Sequence, residues 1–143
     1  MVSGDYYMLL KRRALSMMKL AERLLSEGEY DLAVLNAEYA AQLYAKAVIY
    51  RLSGEEWRGR SVRALLGVIA FLADGEGLTR VREVVAEFVR RKRRLLAELE
   101  EAHTRSLYGP LTYSKDQAEA IVNVAKEVVK LLENVENLAF SGG

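Results

Sequence analysis

Between Gly28 and Ala47 the chain reads GEYDLAVLNAEYAAQLYAKA, which is apolar on nearly every side if wound as a helix. At about 100° per residue, Ala33, Ala37, Ala40, Ala41, Tyr44, Ala47 and Val48 share one face. Leu35, Tyr39, Leu43 and Tyr50 make a second apolar strip opposite, and Glu38, Gln42 and Lys46 form a polar stripe between them. Such a helix needs neighbours on two sides, and its alanines admit another backbone at close range. The pattern predicts the central helix of a bundle. It also predicts a homodimer burying part of the Leu35, Tyr39, Leu43 strip or a second face of the first helix.

The same periodicity places four more helices around it. The first spans about Asp5 to Glu27, with apolar positions at Leu9, Leu10, Ala14, Met17, Met18, Ala21, Leu24 and Leu25, and Gly28 ends it. The second covers Tyr30 to Leu52 and stops before Gly54. A loop from Ser53 to Arg60 holds the single tryptophan, Trp57. A third, short helix covers Ser61 to Ala73, and Asp74-Gly75-Glu76-Gly77 breaks the chain. The fourth runs from Leu78 to His103. The fifth opens on a capping box, Ser114 with Gln117 three residues on, and continues to about Asn137, leaving a fraying LAFSGG tail. The expectation is one all-α domain over residues 1–143, an up-and-down bundle of about five helices.

Composition agrees with that fold. The 143 residues include one proline, as uninterrupted helices require, and no cysteine, so neither disulfides nor zinc-finger spacings are available. No apolar run is long enough to span a bilayer, and the first residues lack the apolar core of a signal peptide. These features lead to the expectation of a cytoplasmic protein with no membrane partner. The excess of arginine over lysine, fourteen to seven, leans towards a thermophile. The net charge of +1 hides an uneven distribution: residues 80–94 carry +5 and residues 95–143 carry −4. A local basic segment attracts an anion but is no broad nucleic-acid footprint, and a plain solvated helix face explains it equally.

Arg90-Arg91-Lys92-Arg93-Arg94 wraps more than one turn of the fourth helix, so its five cations cannot all face water. Val81, Val85, Phe88, Leu95, Leu96 and Leu99 mark the apolar side, and Lys92 falls in the middle of it, with His103 further along the same side. Either Lys92 snorkels past the core, the more usual outcome, or it lines a polar cavity and meets an anion or carboxylate.

Gly28-Glu29-Tyr30-Asp31-Leu32-Ala33, then Ala37-Glu38-Tyr39-Ala40-Ala41-Gln42 and Lys46-Ala47, resembles the second helix of HEPN domains. The likeness continues at Gly59-Arg60-Ser61-Val62-Arg63-Ala64-Leu65-Leu66 and ends at Thr104-Arg105-Ser106-Leu107-Tyr108-Gly109-Pro110. The resemblance implies a helical bundle that is commonly a homodimer. It also implies a possible partner protein, since the family is often encoded beside a small nucleotidyltransferase in toxin–antitoxin or defence modules.

The departures from the family matter as much. Its active ribonucleases carry an arginine, four to six residues, then a histidine. The only histidine here is His103, and the positions that would need arginine are Leu96, Ala97 and Glu98, with Arg94 too far upstream. Arg60 stands where the third helix usually has histidine, and Leu107 stands where many members have the arginine of an Arg-Tyr pair, with Arg105 two residues away. General acid–base cleavage needs a group titrating near neutrality, and His103 alone remains. The expectation is therefore a non-catalytic or degenerate HEPN module without cofactor or metal, binding a partner protein, a nucleotide or RNA. The candidate ligand-binding residues are Arg60, Ser61, Lys92, Arg94, His103, Arg105 and Tyr108, because helix N-termini and arginines favour phosphate. Ordinary packing of Tyr108, a carbonyl partner for His103 and surface ion pairs for the arginines explain the same residues.

Other chemistries find less support. Glu100-Glu101-Ala102-His103 contains one Glu-x-x-His, but a di-iron bundle needs two and the chain has one histidine. No phosphate-binding Gly-rich loop is present. Two alternatives stay open: a ribonuclease with an altered site, and a generic helical adaptor of the tetratricopeptide type. The latter lacks the roughly 34-residue period that class requires.

Overall fold

A computed structural model of the chain describes residues 4–110 and 112–140, and all described regular elements are helices. They are α1 (Gly4–Ser26), α2 (Tyr30–Ser53), α3 (Val62–Gly75), α4 (Thr79–Arg91), α5 (Arg93–Glu100), α6 (Ala102–Tyr108) and α7 (Lys115–Phe140). The first turn is closed as the sequence requires. Gly28 takes φ +80°, and the amides of Gly28 and Glu29 reach back to the carbonyls of Leu25 and Leu24 at 3.2 and 2.9 Å. These bonds satisfy the last carbonyls of α1 and fold α2 back along it.

Helix α2 is central, packing against α1, α3, α5, α6 and α7. Ala33, Ala37, Ala40, Ala41, Tyr44, Ala45, Ala47, Val48 and Ile49 are all fully buried on it. The alanine face lets neighbouring helices approach closely, and each buried methyl adds its share of apolar burial. The second strip is covered only in part within the monomer, with Tyr39, Leu43 and Tyr50 half-buried. Leu35 is buried, Tyr39 meets His103, and Leu43 packs with Tyr6 and Tyr50 against Tyr7, Leu10 and Ala47.

Seven helices stand where about five were expected, because the long fourth helix bends twice. At Lys92 the backbone leaves helical values, φ −109° and ψ 17°, although its amide still reaches the Phe88 carbonyl at 2.9 Å. The physical reason lies in the stripe itself. Val81, Val85 and Phe88 before the break and Leu96 and Leu99 after it are buried, and Lys92 is the one charged residue between them. The bend keeps both apolar segments on the core and leaves the ammonium beside α7. A second interruption at Glu101 separates α5 from α6. The capping box of α7 forms as expected: the Gln117 amide donates to Ser114 Oγ at 3.2 Å, and the Ser114 amide to Gln117 Oε1 at 3.0 Å. Helix α7 runs to Phe140, past the end expected near Asn137, and the rest of the LAFSGG tail lies outside the described residues.

One end of the bundle closes on a charged cluster. Tyr44 donates a hydrogen bond to Glu136, whose carboxylate also lies 3.2 Å from Lys11 and 3.9 Å from Arg51. Burial pushes the Glu136 carboxyl upward, while the two cations favour its charged form. The Arg51 guanidinium stacks 3.9 Å over the Phe140 ring.

A candidate ligand cleft at the α4–α5 bend

The bend at Lys92 opens a cleft of about 830 Å³ between the α4–α5 corner, α6 and the first turns of α7. Lys92, Arg94 and Arg105 line it together with Arg91. The Lys92 ammonium is half-buried and pairs with Glu127 of α7 at 3.1 Å. Lys92 thus meets a carboxylate at the edge of a polar cleft, the less usual of the two outcomes. Arg94 sits at the rim, almost fully exposed, 3.7 Å from Glu98. Arg105 comes in from α6, with its guanidinium 4.0 Å from the centre of the Tyr113 ring.

Tyr113 is set firmly. It is buried, and its amide donates to Asp31 at the start of α2 at 2.9 Å. The chain between α6 and α7 is thereby tied to the central helix, and Arg105 rests on a fixed surface. The opposite charges in the cleft are Glu98, Glu101 and Asp116. The lining thus offers guanidinium and ammonium donors for an anion beside carboxylates that accept hydroxyl or amino donors.

The other four candidates lie elsewhere. Tyr108 does not line the cleft; it is 79% exposed, and the ring beneath Arg105 is Tyr113. Tyr108 was placed by its nearness to Arg105 in sequence, but the end of α6 turns it outward. Ser61 caps α3, its Oγ accepting from the Ala64 amide at 3.1 Å, so its hydroxyl oxygen serves the helix. Arg60 is exposed at the same helix start and lowers the proton affinity of Glu38 by its charge. His103 leaves the cleft altogether. Its ring meets Tyr39 edge to face, 5.8 Å between centroids, and Nδ1 lies 3.2 Å from the Tyr39 hydroxyl. The expected carbonyl partner for the histidine is replaced by a phenol.

The residue missed by sequence reasoning is Glu38. Periodicity alone sets Glu38 and Gln42 in a polar stripe between two apolar faces, yet Glu38 is fully buried and Gln42 nearly so. Gln42 donates to Glu38 Oε1, and among the described residues Oε2 has no partner. Burial pushes the Glu38 carboxyl up to about 7, against the pull of the Gln42 amide, Arg60 and Lys46, with Glu100 adding a smaller push. The available signal was an acid inside an alanine-rich helix with an amide four residues on, the spacing at which helical side chains meet. Among the described residues no group of His, Asp or Glu side chains is arranged to hold a metal ion.

A helical bundle that buries a central alanine-rich helix and opens a mixed-charge cleft at one bend defines an all-α helical-domain protein. The model of the HEPN domain matches residues 7–135, and the chain belongs to the HEPN domain family. No curated protein and no solved structure matches it. Among the described residues no helix is long and apolar enough to cross a membrane.

Proposed function

We propose that this HEPN-domain protein is a non-catalytic, dimeric binding module. Its cleft at the α4–α5 bend takes a nucleotide, and it acts beside a minimal nucleotidyltransferase in a toxin–antitoxin or defence setting. One observation carries the reading: Lys92 and Arg94 of the α4–α5 corner and Arg105 of α6 line one cleft of about 830 Å³. That volume is within the range of small-molecule sites. The cations are placed for a phosphate, and Glu98, Glu101 and Asp116 accept donors from a sugar or base. RNA would use the same phosphate chemistry.

Catalysis is not part of the proposal. The family's spaced arginine–histidine pair is missing, and His103 is engaged with Tyr39 rather than lining the cleft. Membership of the HEPN family sets aside the tetratricopeptide-type adaptor.

Titration calorimetry with adenine and guanine nucleotides tests the first reading. Heat of binding that weakens with added salt supports it, and no heat at millimolar nucleotide overturns it.

A further inference from the structure

Helix α3 is charged only at Arg63 and Asp74. Its inward face, Val62, Leu65, Leu66, Ile69 and Ala73, is buried. Its outward face is not polar, as a surface helix would be. Ala64, Gly67, Phe71 and Gly75 lie along it, all exposed, with Val68 half-buried beside them. Phe71 is 78% exposed, an unusual place for a phenyl ring.

Gly67 sharpens the point. Glycine is among the poorest residues for the middle of a helix. Nothing in this fold requires it here, since a Cβ at Gly67 would meet no atom within 4 Å. The absent side chain leaves bare helix backbone on the outer surface, one turn from a projecting phenyl ring. A projecting ring and a bare stretch of backbone on one face can serve as the two halves of a self-complementary contact.

The charges choose the direction. Arg58, Arg60 and Arg63 gather at the N-terminal end of α3, and Asp74 and Glu76 at its C-terminal end. An antiparallel copy sets the positive end of each helix against the negative end of the other, and opposes their dipoles favourably. A parallel copy sets like against like. The outer face of α1, the other face considered for self-association, has a groove lined by Met8, Leu15 and Ser16 with Lys11, Arg12 and Lys19. It would bring cations against cations in either direction.

We propose that a second copy of this chain docks on the outer face of α3, antiparallel, with Phe71 of each copy seated over the bare backbone at Gly67 and Ala64 of the other. This rests on the dimeric reading above and names the surface that the reading leaves open. Of the α2 strip, Leu35 is buried and Tyr39, Leu43 and Tyr50 are half-buried, whereas the outward face of α3 carries Phe71 at 78% exposed.

Sedimentation velocity of the full chain over a concentration series tests it, with two variants chosen to leave the monomer folded. Phe71→Glu removes an exposed ring, and Gly67→Leu covers the bare backbone with a better helix former. The expected result is a wild-type dimer whose dissociation constant rises by about 30-fold or more in each variant, with helicity by circular dichroism unchanged. A monomeric wild type overturns the dimeric reading and this surface with it. A dimer untouched by both variants overturns the surface alone. Direction is read in the cysteine-free background. Under mild oxidation the double variant Ala64→Cys with Gly75→Cys is trapped as a disulfide dimer, and Ala64→Cys alone is not. Trapping by Ala64→Cys alone, or none by the pair, overturns the antiparallel arrangement.

Discussion

The Tyr39 hydroxyl and His103 Nδ1 meet at 3.2 Å across the contact between α2 and α6. The single histidine of the chain is thereby a packing residue with a polar tip, held edge-on against a phenol. His103→Ala is expected to change no rate of RNA cleavage. It should lower stability by about 1 kcal/mol, the usual cost of losing one hydrogen bond. Incubating both proteins with single-stranded RNA checks this, and cleavage that depends on His103 would contradict it.

Arg105 lines the cleft with its guanidinium 4.0 Å from the centre of the Tyr113 ring. Arg105→Ala should weaken nucleotide binding by about 10-fold or more, the range for one charge-assisted hydrogen bond. The fold should persist, since the stacking lost is worth only about 1 kcal/mol. Calorimetry on both proteins, paired with thermal melts, separates lost binding from lost structure. Equal affinities would remove Arg105 from the site.

Glu38 makes stability depend on pH in a direction opposite to that of an ordinary ion-paired acid. Its carboxyl rises from 4.5 to about 7 on burial. Between those values the folded protein holds a proton that the unfolded chain has released. The neutral form is the one the fold accommodates, so stability is greatest below the unfolded value and declines as pH rises towards the folded one. The loss contributed by this group is up to about 3 kcal/mol. Glu38→Gln keeps a neutral side chain beside Gln42 and should flatten that decline. Urea denaturation at about pH 5 and about pH 8 measures it, and identical pH dependence in the two proteins would refute the assignment.

The alanine face of α2 leaves no room for larger side chains. Ala41 is fully buried, and Ala41→Leu should cost about 1–3 kcal/mol through overpacking. The shift of the denaturation midpoint measures it, and an unchanged midpoint would mean that the helices around α2 can spread.

The sequence by itself determined the elements and their boundaries wherever a local signal carried the decision. Gly28 ends α1, Ser114 with Gln117 opens α7, and the two-sided apolar pattern makes α2 central. Each of these depends on backbone freedom, a nearby cap or a periodicity within a few turns. The order of its motifs also carried the family. Of the candidate site, the cations Lys92, Arg94 and Arg105 were legible because charge is a property of the residue.

Tertiary structure decided what those residues face. Only packing against α7 shows that the long basic helix bends at Lys92, pairs it with Glu127 and opens a cleft there. Only the path of the chain through Tyr113, tied to Asp31 across the bundle, puts that ring rather than Tyr108 beneath Arg105. Glu38 reads as part of a polar stripe until α3, α5 and α6 close around α2, and no local pattern singles out Phe71, which α3 presents outward. The physical reason is common to all four: burial and pairing depend on contacts between residues far apart in the chain, which no local pattern encodes.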